Sequence, residues 1–182
     1  MVEIIKDLDT VKKSVEMFEG VQDSGLDANG IPMLTVPADK LVELVRFLRD
    51  EKKYDYFNSL TAAEDDNFYI SIYNIYAMLD YSKRRITIKV NSPKENPVVP
   101  SLVSLYPAAN WFERESYDLM GIIYSNHPDL TRILTTDDWI GHTLRRDYKI
   151  VEPESYTNIL KAIPDVHVQE GLDRSDIYKG LK

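Results

Sequence analysis

Cysteine is missing from this sequence of 182 residues. Without a thiol, the chain can form no disulfide, no thiolate zinc site and no cysteine-ligated iron–sulfur cluster of its own. The lack of disulfides is typical of proteins from reducing compartments, so we expect a cytoplasmic protein.

Glycine and long apolar runs are scarce as well. The seven glycines form neither a GxGxxG loop nor a GxxxxGKS or GxxxxGKT loop, so none of the common nucleotide-phosphate loops is present. No stretch approaches the ~20 apolar residues of a membrane span. Residues 1–18 alternate charged and apolar side chains, so we expect no signal peptide. We expect the chain to reach a membrane only through partner subunits.

The charge balance is acidic, with a net charge of −8, which argues against a nucleic-acid-binding surface. The remaining composition, 43% hydrophobic and 29% charged, is typical of a globular domain. We expect one domain over residues 1–150, long enough to bury a core. Residues 151–182 have few apolar side chains and no sustained period, which predicts a C-terminal tail that docks on partner subunits.

Hydrophobic periodicity predicts the elements of the domain. A helix or a helix pair is predicted over residues 3–19. Further helices are predicted from Pro37 into the charged run Arg49–Lys53 and over Ala108–Met120, the last ended by Gly121. Strands are predicted at Ile31–Val36, Tyr54–Leu60, Phe68–Leu79, Arg85–Val90 and Ile122–Tyr124. Residues 20–30 and 93–100, rich in glycine or proline, are predicted loops. The predicted fold class is α+β: a small mixed β-sheet of four or five strands with helices packed on one face, followed by an irregular docking segment and an extended tail.

Residues 106–148 combine both tryptophans with two of the three histidines and many charges. Such a mixture is typical of a segment that places one face in a core and the other on a partner or ligand. On the predicted helix, Glu115 shares a face with Trp111 and Leu119, so we expect it to be a buried charge.

A buried carboxylate needs a partner, and Arg132, Arg145 or Arg146 could fold back to supply it. The alternative is that Glu115 lies exposed on a partly bare helix.

Two kinds of catalytic site are conceivable in this stretch. The first is a metal site formed by His127 and His142 with Asp129, Asp137 or Asp138. No HxH or HxxxH spacing supports it, and histidines bonded to backbone or carboxylate are the simpler interpretation. The second is acid–base catalysis by Glu113 and Glu115, which lie two positions apart on a helix and so point to different faces.

Four blocks of this stretch resemble a known family. They read PAANWFERESYDLMG (residues 107–121), HPDLTRIL (127–134), DDWIGH (137–142) and LRRDY (144–148). In content and order they resemble the signature of the 30-kDa subunit of complex I, the respiratory NADH:quinone oxidoreductase. Membrane-bound nickel–iron hydrogenases and complexes that take electrons from ferredoxin or reduced F420 carry a similar subunit. The resemblance extends over residues 30–150.

The resemblance implies a structural subunit with no cofactor of its own. It would lie in the peripheral arm of a membrane-associated, multisubunit, ion-pumping oxidoreductase, on the cytoplasmic side of the membrane. Its implied neighbours are a chain related to the hydrogenase large subunit and a cluster-bearing small subunit. Those neighbours would hold the iron–sulfur clusters and, depending on the complex, a nickel–iron centre or quinone.

The side chains expected to contact those neighbours are the aromatic, histidine and charged residues of the four blocks. They are Trp111, Phe112, Glu113, Tyr117, His127, Arg132, Trp139, His142, Arg145, Arg146 and Tyr148. Trp111 could equally belong to the core. The competing hypothesis is a stand-alone metal-dependent or acid–base enzyme that uses His127, His142 and nearby carboxylates. A third is an assembly factor that leaves the finished complex.

Overall fold

The computed structural model describes residues 7–79 and 84–149. Its elements in chain order are α1 (Leu8–Met17), β1 (Gln22–Leu26), β2 (Pro32–Thr35), α2 (Leu41–Asp50), β3 (Tyr56–Glu64), β4 (Phe68–Tyr76), β5 (Arg85–Pro93), β6 (Val98–Pro100), α3 (Ala109–Met120) and β7 (Ile123–Ser125). A turn of 3-10 helix, Ala38–Lys40, leads into α2. The predicted tail at 151–182 lies outside the described residues, as do residues 3–6 of the first predicted helix.

Five strands form one mixed sheet in the order β1-β2-β5-β4-β3. β2 and β5 are parallel, and the other neighbouring pairs are antiparallel. β6 and β7 form a separate parallel pair. The predicted α+β class with a mixed sheet is therefore confirmed. The predicted pairing of β4 with β5 is confirmed too, with an unbroken register along the whole of both strands.

One side of the sheet, the inner face, carries the core. Along β4, every second residue is buried, so Tyr69, Tyr73 and Ile75 all point to this face. α2 closes the core with the stripe predicted from its spacing: Leu41, Leu44, Val45 and Leu48 are all fully buried. Each such side chain contributes roughly 1.5–3 kcal/mol of hydrophobic stabilisation. α1 and α3 add side chains to the same cluster, so the described helices lie on one face of the sheet.

Both predicted loops contain a strand, which corrects the sequence-based assignment. β1 has the sequence QDSGL, with no β-branched or aromatic residue to signal a strand. It forms because a tight turn brings it beside β2: Asp27 and Ile31 are joined by N–H to carbonyl and N–H to carboxylate hydrogen bonds, both 2.8 Å. The second loop holds β6, whose partner β7 lies more than 20 residues later, beyond the reach of local pattern.

Helix α3 lies where it was predicted but buries a different face. Its buried residues include Ala109, Glu113, Ser116 and Met120, a spacing of four, three and four positions. Trp111 is 64% exposed, and Glu115 is exposed as well. The prediction that Glu115 is a buried charge is wrong, and the alternative of an exposed glutamate is correct. The buried carboxylates of α3 are Glu113 and Asp118, both with no accessible surface.

Candidate functional site

The stretch after β7, residues 126–148, has little regular structure yet is tied closely to α3. We call it the signature segment. Three sets of contacts hold it to α3: one on the side chain of Asp118, one on the carboxyl end of the helix, and one nearer its amino end. The geometry of the site follows from these three anchors.

Asp118 is the first anchor, a buried carboxylate that gathers the middle of the signature segment. Its Oδ2 accepts the backbone N–H groups of Ile133, Leu134 and Thr135 at 3.0, 2.7 and 2.9 Å. Its Oδ1 accepts Arg132 Nη1 at 3.0 Å and the Thr135 hydroxyl. Burial by itself would raise the pKa of Asp118, but these donors together outweigh burial and hold the pKa well below its usual range.

An arginine of the segment therefore does fold back onto α3, as predicted, but onto a different acid. Arg132 pairs with Asp118 rather than with Glu115. The same guanidinium donates from Nη2 to the carbonyl of Gly141 at 3.2 Å, so it also fixes the later part of the segment. A buried pair of this kind is costly to break, because the remaining charge loses its compensation.

The carboxyl end of α3 is the second anchor. The last four carbonyls of a helix have no partner within the helix. Here Tyr117 O accepts the N–H of Gly121 at 2.8 Å. The carbonyls of the next three residues accept, in order, the His142 ring Nδ1 at 2.8 Å, the Leu144 N–H at 3.0 Å and Arg145 Nε at 2.8 Å. Residues 142–145 thus cap the helix.

Gly121 allows this close approach. Its φ is +72°, the left-handed conformation in which glycine commonly ends helices. A Cβ placed there would clash with the Arg145 guanidinium and would lie 2.5 Å from His142 Cδ2. Both the turn and the packing therefore require glycine at this position.

The third anchor is near the start of α3. Arg114 donates from Nε to Thr131 O at 3.1 Å and from Nη2 to the Thr131 hydroxyl at 2.9 Å. His127 Nδ1 accepts the N–H of Asp129 at 3.0 Å, which leaves the proton on Nε2, facing Asn110 O at 3.4 Å. These contacts set the position of the segment where it leaves β7.

The two histidines of the segment do not meet. His127 contacts Asn110 in the first turn of α3, whereas His142 contacts Asp118 in the last. Eight residues of helix separate those contacts, which is about 12 Å along the axis. Within residues 7–79 and 84–149, no group of three or more metal-ligating side chains is found. Burial lowers the pKa of His142, and its bond to Asp118 O opposes that shift only in part.

Glu113 lies inside the domain rather than on its surface, so the prediction that it contacts a partner is wrong. Its Oε1 accepts the N–H of Leu102 at 2.7 Å, while Oε2 has no partner among the described residues. Burial raises the pKa of Glu113 to about 7, opposed only partly by the Ser101 hydroxyl and the Leu102 N–H. The residue fixes the turn that precedes α3.

The end of the signature segment is tied to the β3–β4 hairpin. Arg146 donates its backbone N–H to Glu64 Oε2 at 2.8 Å and its Nη2 to Glu64 O at 2.9 Å. Lys94 donates to the other oxygen of the same carboxylate at 2.6 Å. The Arg145 guanidinium lies 4.8 Å from the ring centre of Tyr69, a cation–π contact.

The held segment presents large apolar side chains to solvent. They are Leu134, Trp139, Ile140 and Leu144, with exposed fractions of 62%, 45%, 89% and 61%. We call these four the apolar patch. Four large apolar side chains exposed within eleven residues of a well-anchored segment are typical of a surface that contacts another protein. The patch offers no acid, base or nucleophile, so its chemistry suits protein contact rather than catalysis.

The other predicted contact residues fall into two groups. Trp111 and Arg146 are exposed, and the guanidinium of Arg146 also donates to Glu64 O. Phe112, Tyr117, His127, Arg132, His142, Arg145 and Tyr148 are half-buried and mostly engaged within the chain. Sequence reasoning missed Asp118 and Ile140; a charge next to the helix end gives no local signal that it binds backbone 15 residues later.

Comparison with known proteins decides the family. The profile described as "Respiratory-chain NADH dehydrogenase, 30 Kd subunit" matches residues 34–154. The chain belongs to this family. A relative in Moorella thermoacetica, named as the C subunit of NADH-quinone oxidoreductase, is 37% identical over 148 residues, which is 80% of this chain and 93% of that protein. The sequence-based resemblance is confirmed.

Solved structures share the fold of this 30-kDa subunit. A trypsin-resistant fragment of Nqo5, residues 1–134, has a TM-score of 0.57 at 22% identity, covering 68% of this chain and 98% of the fragment. A chain of the membrane-bound sulfane sulfur reductase, an archaeal respiratory membrane complex, has a TM-score of 0.69 at 18% identity, covering 90% of this chain and 96% of that chain. No helix in the described ranges has the length and hydropathy to cross a bilayer.

Proposed function

We propose that this member of the 30-kDa subunit family is a structural subunit of the peripheral arm of a membrane-associated oxidoreductase of the complex I and membrane-bound hydrogenase superfamily. The observation that carries the proposal is the apolar patch, exposed on a segment that three anchors hold in place. A family relative named as a subunit of NADH-quinone oxidoreductase supports it.

The patch suits a permanent protein interface. Tryptophan and large aliphatic side chains dominate interface energies when a partner covers them. Because hydrogen bonds already fix the segment, a partner would order few additional side chains on binding, and that lowers the cost of association. The neighbours we propose are the hydrogenase-large-subunit-like chain and the cluster-bearing small subunit of the same arm.

The role of the chain in electron transport is mechanical in this proposal. It holds no cofactor, and iron–sulfur clusters, quinone or a nickel–iron centre belong to the partner subunits. It lies on the cytoplasmic side of the membrane and is peripheral, attached through those partners. Ion translocation is a property of the whole complex. The competing metal-enzyme hypothesis is disfavoured by the separation of His127 and His142 along α3.

The test is incorporation into the complex. A tagged full-length chain is expressed in its own host at the native level, and the purified assembly is analysed by mass spectrometry and native electrophoresis. We expect stoichiometric oxidoreductase subunits, and we expect the Ile140→Asp variant to lose about tenfold or more of its incorporation, because it places a charge in the interface.

Met17→Asp is the matched control. Met17 is also a large apolar side chain, 59% exposed, but it lies on α1, outside the signature segment. It should incorporate as the unaltered chain does. Purification of the chain alone, or equal incorporation of Ile140→Asp and the unaltered chain, would overturn the proposal.

A further inference from the structure

The sheet edge at β3 offers unpaired backbone. β3 is the last strand in the order β1-β2-β5-β4-β3, so within the described part of the chain one of its sides has no neighbouring strand. Such an edge is a template for pairing with another chain, and proteins commonly block it with charge or proline. From Tyr56 to Ala63, β3 contains neither. The edge is therefore chemically suited to accept a strand.

The hairpin geometry shows which residues point to this open side. Asp65 N–H donates to Phe68 O across the β3–β4 turn, so these two residues form a hydrogen-bonded pair. Hydrogen-bonded and non-hydrogen-bonded pairs alternate along an antiparallel ladder. Counting back along the register, Leu60, Ala62 and Glu64 direct their N–H and C=O groups away from β4.

The contact at Glu64 agrees with this direction. Its carbonyl accepts Arg146 Nη2 at 2.9 Å, from outside the sheet. For Leu60 and Ala62, the described residues supply no hydrogen-bond partner on the open side. Backbone groups of this kind are normally paired with backbone, side chain or water.

Helix α3 lies beside this edge, and between them is a small groove of about 80 Å³, room for a side chain of the added strand. The groove is lined by Leu60, Thr61, Ala62, Glu115, Ser116, Leu119, Met120 and Leu144. Grooves between an edge strand and a helix are used for peptide recognition by strand addition. In that mode, main-chain hydrogen bonds give affinity, and pockets for alternate side chains give specificity.

The helix side of the groove sets the chemistry of the occupant. Leu144 is exposed and Leu119 half-buried, so together they offer an apolar wall. Glu115 is exposed beside them and forms no ion pair with another described residue. An apolar side chain fits the wall, and a lysine or arginine complements the carboxylate.

We propose that the β3 edge binds an extended segment of another polypeptide of the assembly as an added strand, with an apolar side chain against Leu119 and Leu144 and a lysine or arginine against Glu115. The inference rests on the proposed function only in requiring a partner polypeptide. Its groove shares only Leu144 with the apolar patch; Leu134, Trp139 and Ile140 do not line it.

Residue-resolved hydrogen exchange tests the backbone part. The amides of Leu60 and Ala62 are compared between the isolated full-length chain and the purified assembly. We expect their exchange to slow about tenfold or more in the assembly, because a partner strand would protect them. Thr61 and Ala63 are the internal controls, since their N–H groups face β4 and should be protected in both samples. Unchanged exchange at Leu60 and Ala62 would overturn the proposal.

Photo-crosslinking identifies the occupant. A benzoylphenylalanine replaces the exposed Thr61, and the crosslinked peptide is sequenced from the assembly. A segment of a different polypeptide, with apolar residues and a lysine or arginine, supports the proposal. A crosslink to this chain, in the same or a second copy, overturns it. Glu115→Lys should reduce the yield severalfold, while Glu16→Lys, at an exposed glutamate on α1, should not.

The two proposals fail separately. If Trp139 and Ile140 become protected in the assembly while Leu60 and Ala62 do not, the docking function stands and strand addition is excluded. If the chain purifies without partners, the docking function is excluded, and strand addition, which requires a partner, is excluded with it.

Discussion

At the scale of the residue, Asp118 holds the signature segment more than any other side chain described. Replacing it by asparagine keeps the shape but removes the charge that Arg132 and three backbone N–H groups face. We expect Asp118→Asn to lower the free energy of unfolding by about 3–5 kcal/mol, since it strands a half-buried guanidinium. Urea denaturation measures this.

The destabilisation caused by Asp118→Asn should depend on pH. Because the folded pKa of Asp118 is depressed, its stabilisation is fully present above the unfolded pKa of about 3.9 and is lost as pH falls through the lower folded pKa. The difference between the unaltered chain and Asp118→Asn should therefore shrink below about pH 4. Asp138→Asn, at an exposed aspartate, is the control and should change little. A difference that stays constant from pH 7 to pH 3 would contradict the assignment.

Glu113 predicts the opposite pH trend. Its folded pKa of about 7 lies above the unfolded value of about 4.3, so the folded state holds a proton that the unfolded state releases. Stability should thus fall as pH rises from about 4.3 to about 7, by on the order of 3 kcal/mol, and level off above that. Glu113→Gln should remove this component of the pH dependence.

Urea denaturation at pH 5 and pH 8 checks the prediction. Glu115→Gln is a closely matched control, because Glu115 lies two positions away on the same helix but is exposed. It should keep the pH trend of the unaltered chain. Identical trends in Glu113→Gln and the unaltered chain would show that burial does not shift this carboxyl.

At the scale of the element, the end of α3 depends on Gly121. Gly121→Ala would combine a left-handed backbone with a clash against Arg145 and His142. Gly25→Ala is a matched control, because Gly25 also has a positive φ, +79°, but a Cβ there meets nothing within 4 Å. We expect Gly121→Ala to cost about 1–3 kcal/mol more than Gly25→Ala, the typical cost of overpacking. Urea denaturation compares them, and equal losses would place the whole effect in the backbone.

The sequence predicted a helix or strand correctly where apolar residues mark its buried face. Leu41, Leu44, Val45 and Leu48 repeat at helical spacing on α2, and Gly121 ends α3 as expected. The orientation of α3 was mispredicted because its buried face carries Glu113 and Ser116, which look solvent-exposed by residue type. Their partners are the backbone N–H of Leu102 and the hydroxyl of the core tyrosine Tyr124, which helical periodicity does not reveal because both lie outside α3.

The candidate site divides in the same way. The four blocks identified the family and the segment, since they are contiguous in sequence. The anchoring of that segment could not be predicted, because Asp118 binds backbone N–H groups, which every residue carries and no residue type signals. That an arginine folds back onto α3 was predictable; its choice of Asp118 over Glu115 depends on which face of the helix the sheet covers.

At the scale of the whole molecule, the apolar patch should govern the behaviour of the isolated chain. Ile140→Asp removes a side chain that is 89% exposed and so makes few contacts within the chain. We expect the free energy of unfolding to change by less than about 0.5 kcal/mol. Binding of the dye ANS and concentration-dependent self-association should both decrease, as measured by fluorescence and sedimentation velocity. Met17→Asp should leave both readouts closer to the unaltered chain, and a loss of fold in Ile140→Asp would contradict the exposure of the patch.

The capping of α3 by residues 142–145 has a consequence for how a complex is built. Residues 142–145 bond the last carbonyls of α3 within the same polypeptide. The surface that contacts a neighbour is therefore ordered before the neighbour binds. Encounter then needs no folding step, so association should proceed at rates ordinary for rigid proteins, about 10⁵–10⁷ M⁻¹s⁻¹. The order in which neighbouring subunits bind should then not matter, because this chain already has its final conformation when each of them arrives.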